Sequence, residues 1–124
     1  MATILVADDD RDIRDIVAYK LQRVGHYVIL ATNGTEALSA ARACEPDLVV
    51  LDVMMPGMSG IEVCRELRAE PRTAALPVIL LTARAQESDV EAGFAVGADD
   101  YVVKPFSPSE LVSRIHTMLG RVRT

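Results

Sequence analysis

No stretch of this 124-residue chain is long and apolar enough to span a bilayer, and no block of lysine and arginine stands out. The first absence speaks against a membrane helix. The second speaks against direct nucleic-acid binding, because Arg114, Arg121 and Arg123 make only a weak basic edge of the kind found on solvated helix faces. Cysteine is also scarce. Cys44 and Cys64 fall in separate predicted helices without metal-ligand spacing, so both are read as small, part-buried hydrophobes in a reducing compartment. The opening Met1-Ala2-Thr3-Ile4 has no basic region, and Asp8-Asp9-Asp10 interrupts any secretion signal, so a cytoplasmic location is expected. Repeats, low-complexity tracts and interior linkers are missing. What remains is a chain that is 50% hydrophobic with a formal net charge of −5, enough to bury the core of one domain. Residues 1–124 are taken as that domain, with 120–124 as the possible start of a linker to an absent output domain.

Apolar runs rich in Val, Ile and Leu occur at 3–8, 27–31, 47–52, 77–82 and 100–103, without polar alternation. That continuity predicts strands covered on both faces, as in a parallel sheet. Between them, apolar residues recur at helical spacing: Ile13, Val17, Leu21 and Val24 first, and Leu111, Ile115 and Leu119 last. Asn33-Gly34-Thr35-Glu36, Ser59-Gly60-Ile61-Glu62, Ser88-Asp89-Val90-Glu91 and Ser107-Pro108-Ser109-Glu110 fit capping boxes that start helices. Pro108 suits a first helical position, and Gly25 a left-handed helix end. The expected fold is therefore α/β, a three-layer doubly wound (βα)5 domain with a five-stranded parallel sheet. A flavodoxin-like strand order of 2-1-3-4-5 suits five such units, although the order itself is not written in the pattern.

Four polar residues close four of the apolar runs: Asp9, Asp52, Thr82 and Lys104. In open α/β sheets the ligand crevice lies beyond the carboxyl ends of the strands, so all four should meet along one edge. Asp10 and Asp12 fit an ordinary helix start. Asp8, Asp9 and Asp52 fit less easily: two carboxylates about 4 Å apart repel by roughly 4 kcal/mol at an effective dielectric near 20. A hard cation with oxygen ligands, Mg²⁺ or Mn²⁺ in its place, would relieve that repulsion. A carboxylate beside such a cation can attack phosphorus and form an acyl phosphate. Asp52 is the candidate, followed by the loop Met54-Met55-Pro56-Gly57-Met58-Ser59-Gly60 with its two permissive glycines. Thr82 and Lys104 could hold phosphoryl oxygens, and the small Ala83 and Ala85 leave space for the group.

These motifs resemble the CheY-like receiver domains of two-component response regulators, above all those of winged-helix regulators of the OmpR/PhoB type. The resemblance rests on Ile4-Leu5-Val6-Ala7-Asp8-Asp9-Asp10, on Leu51-Asp52 through Ser59-Gly60, on Leu81-Thr82-Ala83 and on Gly97-Ala98-Asp99-Asp100-Tyr101-Val102-Val103-Lys104-Pro105-Phe106. It covers essentially the whole chain. It implies Asp52 as phosphoacceptor, Asp9 as direct Mg²⁺ ligand, Asp8 as a ligand through water and the Met54 backbone carbonyl as the last protein ligand. Thr82, Ala83 and Lys104 would contact the phosphoryl group, Thr82 and Tyr101 would form the switch, and the Lys104-Pro105 bond would be cis. A sensor histidine kinase would be the phosphodonor, and a DNA-binding domain absent from this chain the output. The resemblance further implies a phosphorylation-dependent homodimer through the fourth helix, fifth strand and fifth helix. Asp99, Asp100, Glu110, Arg114 and Arg121 fit that face, whereas Val90, Ala92 and Ala95 stand where charged residues are common.

Other readings compete with a phosphoacceptor switch that is not a turnover enzyme. A phosphatase of the haloacid dehalogenase type also uses an Asp nucleophile, but needs an acid two residues later, where this chain has Met54. A flavin-binding module would need Ser, Thr or Gly in the first strand–helix turn, and Asp8-Asp9-Asp10 repels a phosphate instead. A docking module independent of phosphorylation is the third. His26 and His116 have no acidic or cysteine partner nearby in sequence, and read as a turn residue and an exposed helical residue.

Overall fold

The computed structural model describes residues 1–83 and 87–123, with backbone alone at 87–90 and 121–123. Strands β1 (Thr3–Ala7), β2 (Tyr27–Ala31), β3 (Leu48–Asp52), β4 (Val78–Ala83) and β5 (Asp100–Lys104) alternate with helices α1 (Arg11–Arg23), α2 (Gly34–Cys44), α3 (Gly60–Ala69), α4 (Glu87–Ala95) and α5 (Pro108–Arg123). All four strand pairings are parallel, in the order β2-β1-β3-β4-β5. The sheet therefore starts and ends each strand on the same two edges, and every carboxyl end opens on one side.

Strand side chains alternate between faces, and each face has its own core. Leu5, Val49, Leu51 and Leu80 pack with Leu38, Ala41, Val63 and Leu67 of α2 and α3. Ile4, Val6, Val50, Ile79 and Leu81 pack with Val17 and Leu21 of α1 and with Leu111, Ile115 and Leu119 of α5. This explains why the central strands show no polar alternation: both of their faces are buried. The expectation fails at the sheet's edge, where Tyr27 and Leu30 of β2 are exposed, because an edge strand has a neighbour on one side only.

Helix punctuation follows the sequence with local departures. Ser59 and Glu62 close a full capping box. Asn33 caps the Glu36 amide, but the Glu36 carboxylate takes the amide and hydroxyl of Thr32 instead. The Ser107 hydroxyl accepts the Glu110 amide and Pro108 is the first residue of α5. Helix α4 starts at Glu87, ahead of the expected cap Ser88, whose side chain lies outside the described residues, as does Ala85. Gly25 ends α1 at φ +93°, as expected, but Val24 is exposed rather than core. Cys64 is buried, and Cys44 is exposed at the end of α2, correcting the part-buried reading.

Two contacts join segments far apart in sequence. Arg68 of α3 donates to the carbonyls of Gly97 and Leu76 and to Asp99, tying together the loops at the amino edge of the sheet. The Nε2 atoms of His26 and His116 lie 2.9 Å apart, and His26 Nδ1 accepts the Ala2 amide. The two histidines are thus each other's partners, which sequence neighbours could not reveal.

Candidate functional site

Parallel pairing brings the ends of β1, β3, β4 and β5 together, and the polar residues that close those strands converge there. Asp8 is fully buried, Asp52 and Thr82 nearly so, and Asp9 is exposed at the rim. One carboxylate oxygen from each of Asp8, Asp9 and Asp52 falls within a 4.8 Å group. The Lys104 ammonium sits 2.9 Å from Asp8 Oδ2 and 3.2 Å from Asp52 Oδ2.

Local backbone holds each acid. The Asp8 amide donates to the Ala31 carbonyl, and Asp8 Oδ1 accepts the Asp10 amide at 2.9 Å. The Asp8 carbonyl accepts from Arg14 Nη1 at 2.8 Å, a contact nothing in the motifs singled out. Its only trace in the sequence is spacing: Arg14 lies one helical turn after Asp10, and helical side chains lean toward the preceding turn. Asp52 Oδ1 accepts the Met54 amide at 3.3 Å. Gly60 allows α3 to start directly against the end of β3, since a Cβ there would fall 2.3 Å from the Asp52 carbonyl oxygen. Gly57 turns the intervening loop at φ +78°.

Electrostatics in this pocket are unbalanced. Burial and the neighbouring Asp8 charge push the Asp52 carboxyl up from 3.8 to about 6, against the pull of Lys104. Burial by itself would lower the Lys104 ammonium, but its bonds and charge interactions with Asp8 and Asp52 outweigh that and raise it. Asp8 Oδ2 is buried against the Lys104 ammonium and finds no other donor among the described residues. A buried carboxylate oxygen short of donors, within reach of two more carboxylates, is a donor set suited to a small hard cation.

The remaining predicted residues lie in part at this centre and in part along β5 and α5. The Thr82 hydroxyl is loosely held, donating to the Ala83 carbonyl at 3.4 Å. The Lys104-Pro105 peptide is cis. Tyr101 is half-buried with its ring edge-on to the exposed Phe94, centroids 5.6 Å apart. Arg114 pairs with Asp100 at 3.1 Å and reaches Glu110 at 4.0 Å. Asp99 is engaged elsewhere, by Arg68 and by the Val78 amide. The Arg121 side chain lies outside the described residues.

With this geometry established, comparison with known proteins is direct. The family profile described as the response regulator receiver domain matches residues 4–116. The chain belongs to that family. A putative response regulator from Chloroflexus aurantiacus superposes with a TM-score of 0.90 at 39% identity, covering 96% of this chain and 98% of that one. Chemotaxis protein CheY4 of Vibrio cholerae gives 0.88 at 35% identity, covering 95% of this chain and 98% of that one. Among curated relatives, the alkaline phosphatase synthesis transcriptional regulatory protein PhoP of Bacillus subtilis is 47% identical over 95% of this chain and 48% of its own length. The phosphate regulon transcriptional regulatory protein PhoB of Rhizobium meliloti is 47% identical over 97% of this chain and 53% of its own length. The receiver domain thus spans about half the length of these OmpR/PhoB-type relatives. Its fold is the flavodoxin-like five-stranded arrangement of its receiver neighbours. Among the described residues, no helix is long and apolar enough to cross a membrane.

Proposed function

We propose that this receiver domain accepts a phosphoryl group on Asp52 from the phosphohistidine of a sensor kinase. The observation that carries the reading is the convergence of Asp8, Asp9, Asp52 and Lys104 at one sheet edge. An Asp52 oxygen attacks phosphorus, the phosphorus–nitrogen bond of the donor breaks, and the imidazole leaves with its electron pair. At neutral pH the Asp52 carboxylate, raised only to about 6, is mostly ionised and able to attack. Lys104 stands beside the nucleophile to bind one transferred oxygen, with Thr82 and the Ala83 backbone for the others. Asp8, Asp9, Asp52 and the Met54 carbonyl would hold Mg²⁺ or Mn²⁺, which would neutralise charge accumulating on the transferring group. An open cleft of about 340 Å³ beside Lys104, lined by Ile13, Ile16, Pro105, Phe106 and Pro108, offers the donor an apolar seat.

Phosphorylation then draws on Thr82 and Lys104 and resets Tyr101, changing the face made by α4, β5 and α5. On that face, Asp99, Asp100, Glu110, Arg114 and Arg121 would serve a phosphorylation-dependent homodimer. Residues 1–124 act as the receiver, 120–124 leading into a DNA-binding output domain that controls transcription in the cytoplasm. The chain works as a switch, assisting its own phosphorylation and dephosphorylation without turning over a substrate. Incubation with a phosphorylated kinase or acetyl phosphate plus Mg²⁺ should label the wild-type chain and leave Asp52→Asn unlabelled. Equal labelling of both would overturn the assignment.

A further inference from the structure

Of the three acids in the pocket, Asp9 alone is exposed, so burial does not fix its direction. Its backbone does. The peptide that precedes it is held by Arg14, whose Nη1 donates to the Asp8 carbonyl at 2.8 Å. The peptide that follows it is held by Asp8 Oδ1, which accepts the Asp10 amide at 2.9 Å. Asp10 is in turn fixed as the cap of α1, accepting the amides of Asp12 and Ile13. Asp9 therefore hangs between two clamped peptide planes, and one of the clamps is a half-buried side chain from α1.

We infer that Arg14 is a positioning residue for the acid pocket: by holding the Asp8–Asp9 peptide it aims Asp9 and sets how tightly the pocket binds a divalent cation. This rests on the reading of Asp8, Asp9 and Asp52 as a Mg²⁺ site. Two effects of Arg14 oppose each other there. Its charge, also felt by Glu36 at the start of α2, repels a cation. Its hydrogen bond removes the rotational freedom of the peptide and keeps Asp9 facing Asp52. The charge is partly open to solvent and screened, whereas the hydrogen bond acts directly on the ligand-bearing backbone, so the second effect is the larger.

Mg²⁺ titration of the unphosphorylated chain, followed by amide NMR shifts or calorimetry, separates the two. Arg14→Ala should weaken Mg²⁺ binding about tenfold, the usual scale for losing an outer support of a metal ligand. Arg14→Lys, which keeps the charge and a single donor, should fall between. Arg11→Ala is the control: Arg11 lies on the same helix, exposed and paired with Asp15, and its loss should leave affinity within about twofold of wild type. An unperturbed amide spectrum away from the β1–α1 turn verifies that each variant is folded. Mg²⁺ binding by Arg14→Ala as tight as wild type, or tighter, would overturn the inference. A wild-type chain that binds no Mg²⁺ would instead remove the cation site itself, and this inference with it.

Discussion

Lys104 is the residue on which the pocket's charge balance turns. Two carboxylates that are almost completely buried face a single ammonium at 2.9 and 3.2 Å. The raised Asp52 carboxyl fixes the sign of the pH dependence. Because the folded state holds its proton more tightly than the unfolded chain, Asp52's favourable contribution is complete below 3.8 and disappears as pH rises through about 6. Above that range the lysine has most to neutralise. Lys104→Ala should therefore cost about 3 kcal/mol at pH 8, as removal of one partner from a buried ion pair does. The cost should shrink toward pH 4.5, where Asp52 is protonated. Urea unfolding with a chelator present at both values measures the difference, and a penalty independent of pH would contradict it.

At the scale of elements, the joint between β3 and α3 leaves no room for a side chain. Gly60 places the first turn of α3 against the Asp52 carbonyl, a backbone atom that cannot yield without moving the end of β3. Gly60→Ala should destabilise the domain by roughly 2–3 kcal/mol, read from the shift of its urea midpoint at unchanged slope. Most of this layer was legible in advance. Apolar runs marked the strands, and the polar residues closing four of the five runs marked what reaches the pocket, because a buried parallel strand offers no other place for a charge. Strand β2 stands where its apolar run predicts, and only its cover on both faces fails, since its Val, Ile and Leu content matches a central strand while Tyr27 and Leu30 meet solvent. Arg14, Arg68 and the His26–His116 pair were not legible for a different reason. Their partners are backbone carbonyls or residues brought near only by folding, and neither composition nor periodicity encodes such contacts.

For the molecule as a whole, uncompensated charge in the pocket is a reserve of stability that a cation can release. Mg²⁺ at ten times its dissociation constant should stabilise the chain by about 1.4 kcal/mol through binding linkage. For a domain of this size that corresponds to a melting point higher by roughly 5 °C. Superimposable thermal melts in Mg²⁺ and in chelator would count against a working site. At the same scale, Asp100 and Arg114 are paired within one chain. Dimer formation through that face would have to exchange or share this pair.

The sheet is also a bulkhead. It divides the oily interior into two sealed compartments, with α2 and α3 on one side and α1 and α5 on the other. Leu67 and Ile115 lie in different chambers, so the costs of truncating both should add, as expected for distant sites without shared partners. Strand β3, which ends in Asp52, is common to both chambers, with Val49 and Leu51 facing one and Leu48 and Val50 the other.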